Sequence, residues 1–308
     1  MTQRLVLLDH DGAIDDFLSM MLLLTMEEVK TLGVIVTPAD CYIEAATSVS
    51  RKIIALMDRT QLPVIKSTAR GINPFPSDFR RDCLIIDNFP ILNETTPDRS
   101  KAVPTKSARE FIIETLTNAP YPVTLMVTGP LTTIAEAIAF QPQITARIAE
   151  IVWMGGAFKV SGNVQFAYAM EHDGTAEWNV FWDPLAAKQI WETSIPLTLC
   201  PLDLTNNVPV TPEFIRQLSQ QRRYPLSDLA GLCYSLAVTQ DYYFWDILAT
   251  TYLARPDLYQ VEEWETEIVT TGKSQGRTIL KSGGRKIKVM TQVDREKFYS
   301  YLLQQFAR

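Results

Sequence analysis

The chain has 308 residues, of which 46% are hydrophobic, 10% aromatic and 21% charged. This is the composition of a globular protein, and it excludes a disordered chain, a collagen-like chain and a small disulfide-stabilised framework. The 29 basic and 35 acidic residues give a formal net charge of −6, so the sequence shows no electrostatic footprint for binding DNA or RNA.

Short apolar runs typical of buried strands alternate with helical patterns along most of the chain. The predicted strands are Arg4–Leu8, Leu32–Val36, Val123–Val127, Ile151–Met154 and Leu197–Cys200. The predicted helices between or after them are Asp15–Thr25, Ile43–Met57, Thr132–Phe140 and Pro184–Trp191. This alternation predicts β-α-β units, and therefore an α/β fold with an open, mostly parallel central sheet flanked by helices.

Two stretches interrupt the alternation, and the C-terminal part departs from it. Gly71–Thr105 is rich in proline and is predicted to be a long loop of the kind that often carries function. Met170–Trp178 is predicted to be an irregular insert. The pattern of Thr278–Val293 predicts a β-hairpin, and Asp294–Phe306 is predicted to be a closing helix. We expect a single domain that spans residues 1–308.

No segment has the pattern of a membrane span or of a secreted protein. The longest apolar stretch, Phe17–Met26, is about half as long as the roughly 20 residues that a membrane-spanning helix needs, so we expect a buried helix. The sequence opens without a secretory leader pattern. We therefore expect a protein of the reducing cytoplasm with no membrane partner. The cysteines, which lack C-x-x-C spacing, are Cys41, Cys83, Cys200 and Cys233.

Four carboxylates follow the first predicted strand, namely Asp9, Asp11, Asp15 and Asp16. In open α/β sheets such a junction lies at the carboxyl edge, where ligands bind. Crowded carboxylates repel one another and are hard to bury, but a hard divalent cation relieves both problems because it takes oxygen ligands. The sequence therefore predicts a metal site here. The alternative is a solvated helix N-terminus, at which Asp15 and Asp16 favour the helix dipole.

Part of this cluster resembles the haloacid dehalogenase-like phosphatases. In that family Asp9 would be the nucleophile and Asp11 the general acid and base. The family usually has threonine after the glycine, where this chain has Ala13. The phosphatase is therefore kept as a more distant alternative.

The sequence is more similar to the nucleoside hydrolase family, and this similarity recurs along most of the chain. The family's opening motif, Asp-x-Asp-x-x-x-Asp-Asp, is matched by the four aspartates above. Further motifs follow in the family's order at Thr128–Thr132, Met154–Gly156, Gly162–Asn163, Asp173–Asn179, Asp183–Pro184 and Trp245–Asp246. Several motifs in order are far more specific than one. The resemblance implies a Rossmann-like fold and hydrolysis of the N-glycosidic bond of ribonucleosides.

The resemblance also implies a Ca²⁺ ion and assigns roles to individual residues. The ion would be held by Asp11, Asp16, the carbonyl of Thr128 and Asp246, an all-oxygen set that suits a hard cation. Asp11 would in addition take a proton from the attacking water. The residues that would contact the ribose are Asp15, Asn163, Glu177, Asn179 and Asp246.

The residues implied for the base resemble the purine-specific branch, which acts on inosine, adenosine and guanosine. Many members have a histidine immediately before the late aspartate, whereas this chain has Trp245. The base would stack between Phe79 and Trp245, with Trp178 nearby. Aromatic stacking favours a protonated base, and Asp40 would favour the same protonation. Phe79 replaces a tryptophan that is usual in the branch, and Ala13 replaces a common asparagine.

The resemblance implies a small-molecule ribonucleoside as the substrate and a homodimer as the assembly. Two further alternatives stay open at this point. One is a nucleoside hydrolase of broad or pyrimidine specificity, and the other is a non-catalytic protein that binds nucleosides. His10 is expected to be structural, and His172 lies in the insert.

Overall fold

The structure is a computed structural model that describes residues 3–94, 106–165 and 171–308. Its strands are β1 Arg4–His10, β2 Val29–Val36, β3 Val64–Lys66, β4 Val123–Val127, β5 Ile148–Met154, β6 Leu197–Cys200, β7 Tyr259–Ile268, β8 Thr278–Leu280 and β9 Arg285–Val293. Its α-helices are α1 Ile14–Thr25, α2 Ile43–Leu56, α3 Ser77–Arg80, α4 Asp82–Ile86, α5 Ala108–Asn118, α6 Thr132–Phe140, α7 Trp178–Trp182, α8 Pro184–Trp191, α9 Leu202–Thr205, α10 Pro212–Gln220, α11 Pro225–Ser235, α12 Trp245–Thr251 and α13 Arg295–Phe306.

The strands form one sheet in the order β3-β2-β1-β4-β5-β6-β9-β7-β8. The first six strands are parallel, and β9 continues the parallel arrangement beside β6. The α/β fold class with a mostly parallel sheet is therefore confirmed. Strand β1 lies between β2 and β4, so the chain reverses its direction of winding there. Ligands of open α/β sheets bind at the carboxyl end of such a switch point.

The C-terminal antiparallel unit has a different pairing from the predicted one. Strands β8 and β9 lie on opposite sides of β7, since Thr266 is paired with Leu280 on one side and with Arg285 on the other. Thr278–Val293 therefore does not pair with itself, and the unit has three strands. The Gly284 backbone passes close to β7, because a Cβ atom at Gly284 would lie 2.5 Å from the carbonyl oxygen of Thr266. The closing helix is present as α13.

Helices cover both faces of the sheet and create two hydrophobic clusters. One cluster packs α1, α2, α11, α12 and α13 against the sheet, and the other packs α5, α6 and α8. All residues of α1 are buried, as predicted for the apolar stretch that it contains. No helix in the described ranges is long and apolar enough to cross a membrane.

The predicted loop Gly71–Thr105 contains α3 and α4 in its described part. The prediction of an irregular segment was therefore wrong there, because helices of four or five residues show no measurable periodicity in a sequence. Residues 95–105 of this loop and Met170 of the predicted insert lie outside the described residues. Strands β3 and β7 and helices α5, α7, α9, α10, α11 and α12 were also not predicted.

Candidate functional site

A tight turn at the carboxyl end of β1 brings the acidic motif together. Asp11 follows the strand, and α1 begins only three residues later at Ile14. Gly12 makes this turn possible, because its φ is +85° and a Cβ atom there would lie 2.7 Å from the Cβ atoms of Cys41 and Ala46. Asp11 and the first turn of α1 therefore face the same space.

The late aspartate reaches this space through helix packing. Asp246 lies in the first turn of α12, and α12 packs against α1. Carboxylate oxygens of Asp15, Asp16 and Asp246 lie within 4.8 Å of one another, and all three residues are buried. This cluster could hold a metal ion. Asp11 lies beside it, with its carboxyl group hydrogen-bonded to Asp16.

Asp16 is held rigidly in this cluster. Its Oδ1 atom accepts hydrogen bonds from the Thr128 hydroxyl at 2.5 Å and from the Asp11 backbone N–H at 3.3 Å. Its Oδ2 atom accepts from the Ala13 backbone N–H at 2.8 Å. The turn and the end of β4 therefore fix one carboxylate from both sides.

The electrostatics of the cluster favour either protonation of its carboxylates or a bound cation. Burial, and then the charge of Asp16, raises the pKa of Asp11 well above its usual range. Burial, and then the charges of Asp15 and Asp16, does the same to the pKa of Asp246. The pKa of Asp15 rises to about 7 for the same reasons. Since no ion pair among the described residues includes these carboxylates, an all-oxygen cation site fits the donor set.

The residues implied for the ribose form one connected network. Glu177 caps α7, with Oε1 accepting from the Asn179 N–H at 2.8 Å and Oε2 accepting from the Gly156 N–H at 3.1 Å. Burial raises the pKa of Glu177 to about 7. The Asn179 side-chain amide donates to the Thr128 carbonyl at 2.8 Å. Asn163 joins the network, because its Oδ1 atom accepts from the Trp178 N–H at 3.1 Å.

The aromatic residues implied for the base lie in two groups. The rings of Phe79 and Trp178 are 6.3 Å apart, and Phe75 lies 5.0 Å from Trp178. Trp245 packs instead against Tyr242, at 4.7 Å between ring centroids. No ring contact joins Phe79 to Trp245 in the described part of the chain, so the two groups are separate surfaces.

Asp40 lies between this aromatic region and the acidic motif. Its backbone N–H donates to Asp11 Oδ2 at 3.3 Å. Its own Oδ1 atom is buried and has no hydrogen-bond partner among the described residues. Burial, followed by the charge of Asp16, raises the pKa of Asp40 well above its usual range. Asp40 therefore combines a raised pKa with a buried carboxylate oxygen that has no hydrogen-bond partner among the described residues.

Two residues near the site were not singled out from the sequence. The Tyr242 hydroxyl donates to Asp15 Oδ1 at 3.0 Å, and the aromatic run before Asp246 was the available signal. Thr37 donates to Asp9 Oδ1 at 2.7 Å. Burial raises the pKa of Asp9 to about 8, so this member of the motif is mostly protonated at neutral pH.

Both histidines of the chain have structural contacts. His10 Nε2 lies 3.1 Å from the Ser50 hydroxyl, and burial lowers the pKa of His10. His172 Nδ1 accepts from the Gly174 N–H at 3.0 Å, so its Nε2–H donates to the Gln275 carbonyl at 2.8 Å. The two ring nitrogens of His172 are thus occupied.

Known proteins share the sequence pattern and the fold of this chain. The sequence pattern of a family described as inosine-uridine preferring nucleoside hydrolase matches residues 6–300. The chain is 28% identical to the pyrimidine-specific ribonucleoside hydrolase RihA of Klebsiella pneumoniae, over 98% of each chain. It resembles the crystal structure of an inosine-uridine preferring nucleoside hydrolase from Bacillus anthracis with a TM-score of 0.92, 40% identity and 99% coverage of both chains. It shares the fold of a purine-preferring ribonucleoside hydrolase from Gardnerella vaginalis, with a TM-score of 0.80, 23% identity and coverage of 99% of this chain and 98% of that one.

Proposed function

The chain belongs to the inosine-uridine preferring nucleoside hydrolase family, and from this premise we propose that it hydrolyses purine ribonucleosides to free base and ribose with the help of Ca²⁺. Family membership makes the protein an N-ribosyl hydrolase, and it displaces the phosphatase alternative. The purine preference, the identity of the ion and the role of each residue are the proposal. They rest on the contacts described above.

The proposed Ca²⁺ ligands are Asp11, Asp16, Asp246 and the Thr128 carbonyl. Two of them, Asp16 and Asp246, form one group of carboxylate oxygens with Asp15. Oxygen donors alone suit this hard cation, and the raised pKa values of Asp11 and Asp246 show how unfavourable these charges are together. Bound Ca²⁺ would lower the pKa of a water and hold that water close to the sugar.

The chain's own residues would then accept the proton of the water and bind the sugar. Asp11 takes one proton from the water. At the same time the water oxygen bonds to the anomeric carbon, and the bond between that carbon and the base nitrogen breaks. The leaving base keeps the electron pair of that bond and takes up a proton, which the Asp40 carboxyl group would supply. Asn163, Glu177 and Asn179 bind the ribose hydroxyls, and these hydrogen bonds strengthen as the sugar becomes oxocarbenium-like.

The purine preference is carried by a single observation, the partly buried Asp40 carboxyl group next to the acidic motif. Its Oδ1 atom lacks a partner among the described residues, and a purine offers N7 as a proton acceptor. Neither histidine is free for this task, because His10 and His172 are held by other contacts. Phe79 and Trp245 would stack on the two faces of the base and favour its protonated form.

The second candidate function is hydrolysis of pyrimidine or mixed ribonucleosides. It is favoured by the RihA relative, whose name specifies pyrimidines. Incubation of the purified protein with inosine or uridine, with and without a calcium chelator, decides between the two when the free base is quantified by chromatography. Hypoxanthine without uracil, lost on chelation, supports the proposal, and uracil as the main product overturns the purine preference. Tight binding without any product would identify a non-catalytic nucleoside-binding protein.

Replacement of Trp245 by alanine tests the stacking role. We expect kcat/KM for inosine to fall by about 100-fold, while p-nitrophenyl riboside, whose leaving group needs no protonation, loses less than about tenfold. Steady-state kinetics with both substrates measures the difference. Equal losses would show that Trp245 does not activate the base.

The proposal also covers the cellular compartment and the oligomeric state of the enzyme. The cysteines are buried and unpaired, which suits a reducing cytoplasm. A homodimer is the assembly that the resemblance to the purine-specific branch implies, and analytical ultracentrifugation measures it.

A further inference from the structure

Helix α3, which carries Phe79, is attached to the turn that carries Asp40 through one side chain. The Arg80 guanidinium donates from Nε and Nη2 to the Cys41 carbonyl, at 3.0 Å and 2.8 Å. Its central carbon lies 5.0 Å from the centre of the Tyr42 ring. A charged donor pair on one carbonyl and a cation–π contact are both stronger than neutral contacts of the same kind.

This short helix is also supported by the packing of Phe79 against Phe75 and Trp178. No residue of α3 is fully buried, and Arg80 is in no ion pair among the described residues. A second link supports the same attachment, because the Tyr42 N–H donates to Cys83 Sγ at 3.3 Å and the Cys83 thiol donates to the Arg80 carbonyl at 3.2 Å. The turn at residues 40–42 therefore contributes to the position of α3.

Each end of the Arg80 contact adjoins a residue proposed to act on the base. Phe79 directly precedes Arg80 and packs with Trp178. Asp40 directly precedes Cys41, and its backbone N–H contacts Asp11. The Arg80 contact thus connects the stacking surface to the acidic motif over 39 positions of sequence.

We propose that Arg80 is a positioning residue that holds the Phe79 ring and the Asp40 carboxyl group in register on one base. Arg80 itself touches neither the base nor the ribose. This inference rests on the proposed function, because it takes Asp40 and Phe79 as the groups that act on the leaving base.

Arg80→Met tests this inference, since methionine keeps the apolar stem but cannot donate to the Cys41 carbonyl. We expect kcat/KM for inosine to fall at least about tenfold and kcat/KM for p-nitrophenyl riboside to fall less than about threefold. Misplacement of Phe79 and Asp40 affects only the protonation of a leaving purine, which p-nitrophenyl riboside does not need. Arg81→Met is the matched control. Arg81 carries the same charge on an exposed neighbouring position, so both rates should stay within about twofold of wild type.

A double-mutant cycle with Asp40→Asn separates positioning from general loss of structure. If Arg80 acts by placing Asp40 and Phe79 on one base, Arg80→Met should reduce inosine cleavage by a clearly smaller factor once Asp40 is already replaced than it does in the wild-type protein. Full additivity, or equal losses on both substrates, overturns the inference. Arg80→Lys keeps the charge and one donor, and it should restore part of the inosine activity.

Failure of this inference can be distinguished from failure of the proposed purine preference. If wild-type protein cleaves uridine better than inosine, the purine preference fails and the same cycle is measured with uridine. Coupling between residues 40 and 80 on uridine would then keep the positioning role. If Arg80→Met does not fold, as judged by its melting temperature, Arg80→Lys replaces it in the cycle, and additivity there overturns the inference.

Discussion

Replacement of Asp11 by asparagine is expected to lower kcat for ribonucleoside cleavage by at least about 10³-fold while the protein stays folded. Asparagine has nearly the same shape, but it cannot accept the proton of the attacking water and is a weaker ligand for a cation. The effect should appear equally with inosine and with p-nitrophenyl riboside, because both substrates are attacked by the same activated water. Steady-state kinetics with both substrates measures it.

The same variant should be more stable than wild type when the metal is removed. Asp11 is buried beside Asp15, Asp16 and Asp40, whose charges raise its pKa, so removal of one carboxylate relieves repulsion. Asp9→Asn is the matched control. Asp9 is mostly protonated at neutral pH and already accepts from Thr37, so asparagine should keep activity within about tenfold. An active Asp11→Asn enzyme would contradict the assignment of the general base.

Removal of the metal should abolish activity and make the stability of the protein depend more steeply on pH. In the metal-free protein, folding raises the pKa of Asp15 from 3.8 to about 7 and also raises those of Asp11 and Asp246. The folded state therefore binds more protons than the unfolded state between about pH 4 and pH 7, and the free energy of unfolding falls as pH rises through this range.

Calcium should remove most of this dependence. A cation bound only by the folded state stabilises it and competes with the protons, so the carboxylates no longer need to be neutralised at neutral pH. Thermal unfolding between pH 5 and pH 8, in chelator and in excess Ca²⁺, measures the two slopes. A steep fall of the melting temperature in chelator and a shallow one in Ca²⁺ are expected. Identical slopes would contradict a cation site among these residues, and Asp58→Asn, a change on an exposed turn, provides the control.

The sequence was most informative where a local pattern carries the chemistry. The apolar strand before Asp9 and the buried run after Asp16 predicted both an acidic site at the carboxyl edge of the sheet and helix α1. Asp246 could be linked to them only through the family's motif order, since packing of α12 on α1 leaves no periodic signal that joins the two.

Local sequence patterns could not predict the contacts between segments that are distant in the chain. Arg80 meets Cys41 because α3 folds over the turn after β2, and α3 itself is too short for a helical period. The C-terminal glycines predicted a turn correctly, but a turn does not specify which strand its neighbours pair with, and β7 was not recognised as their partner.

The complete burial of α1 and the absence of any buried residue in α3 divide the site into two parts that tolerate change differently. Backbone amides of α1 should exchange with solvent only in global opening, whereas those of α3 should exchange through local fluctuations. Substitutions around Asp15 and Asp16 therefore risk the fold itself. Substitutions around Phe79 alter the base-facing surface at little loss of stability, so new substrate preferences can arise in evolution there while the hydrolytic end stays unchanged.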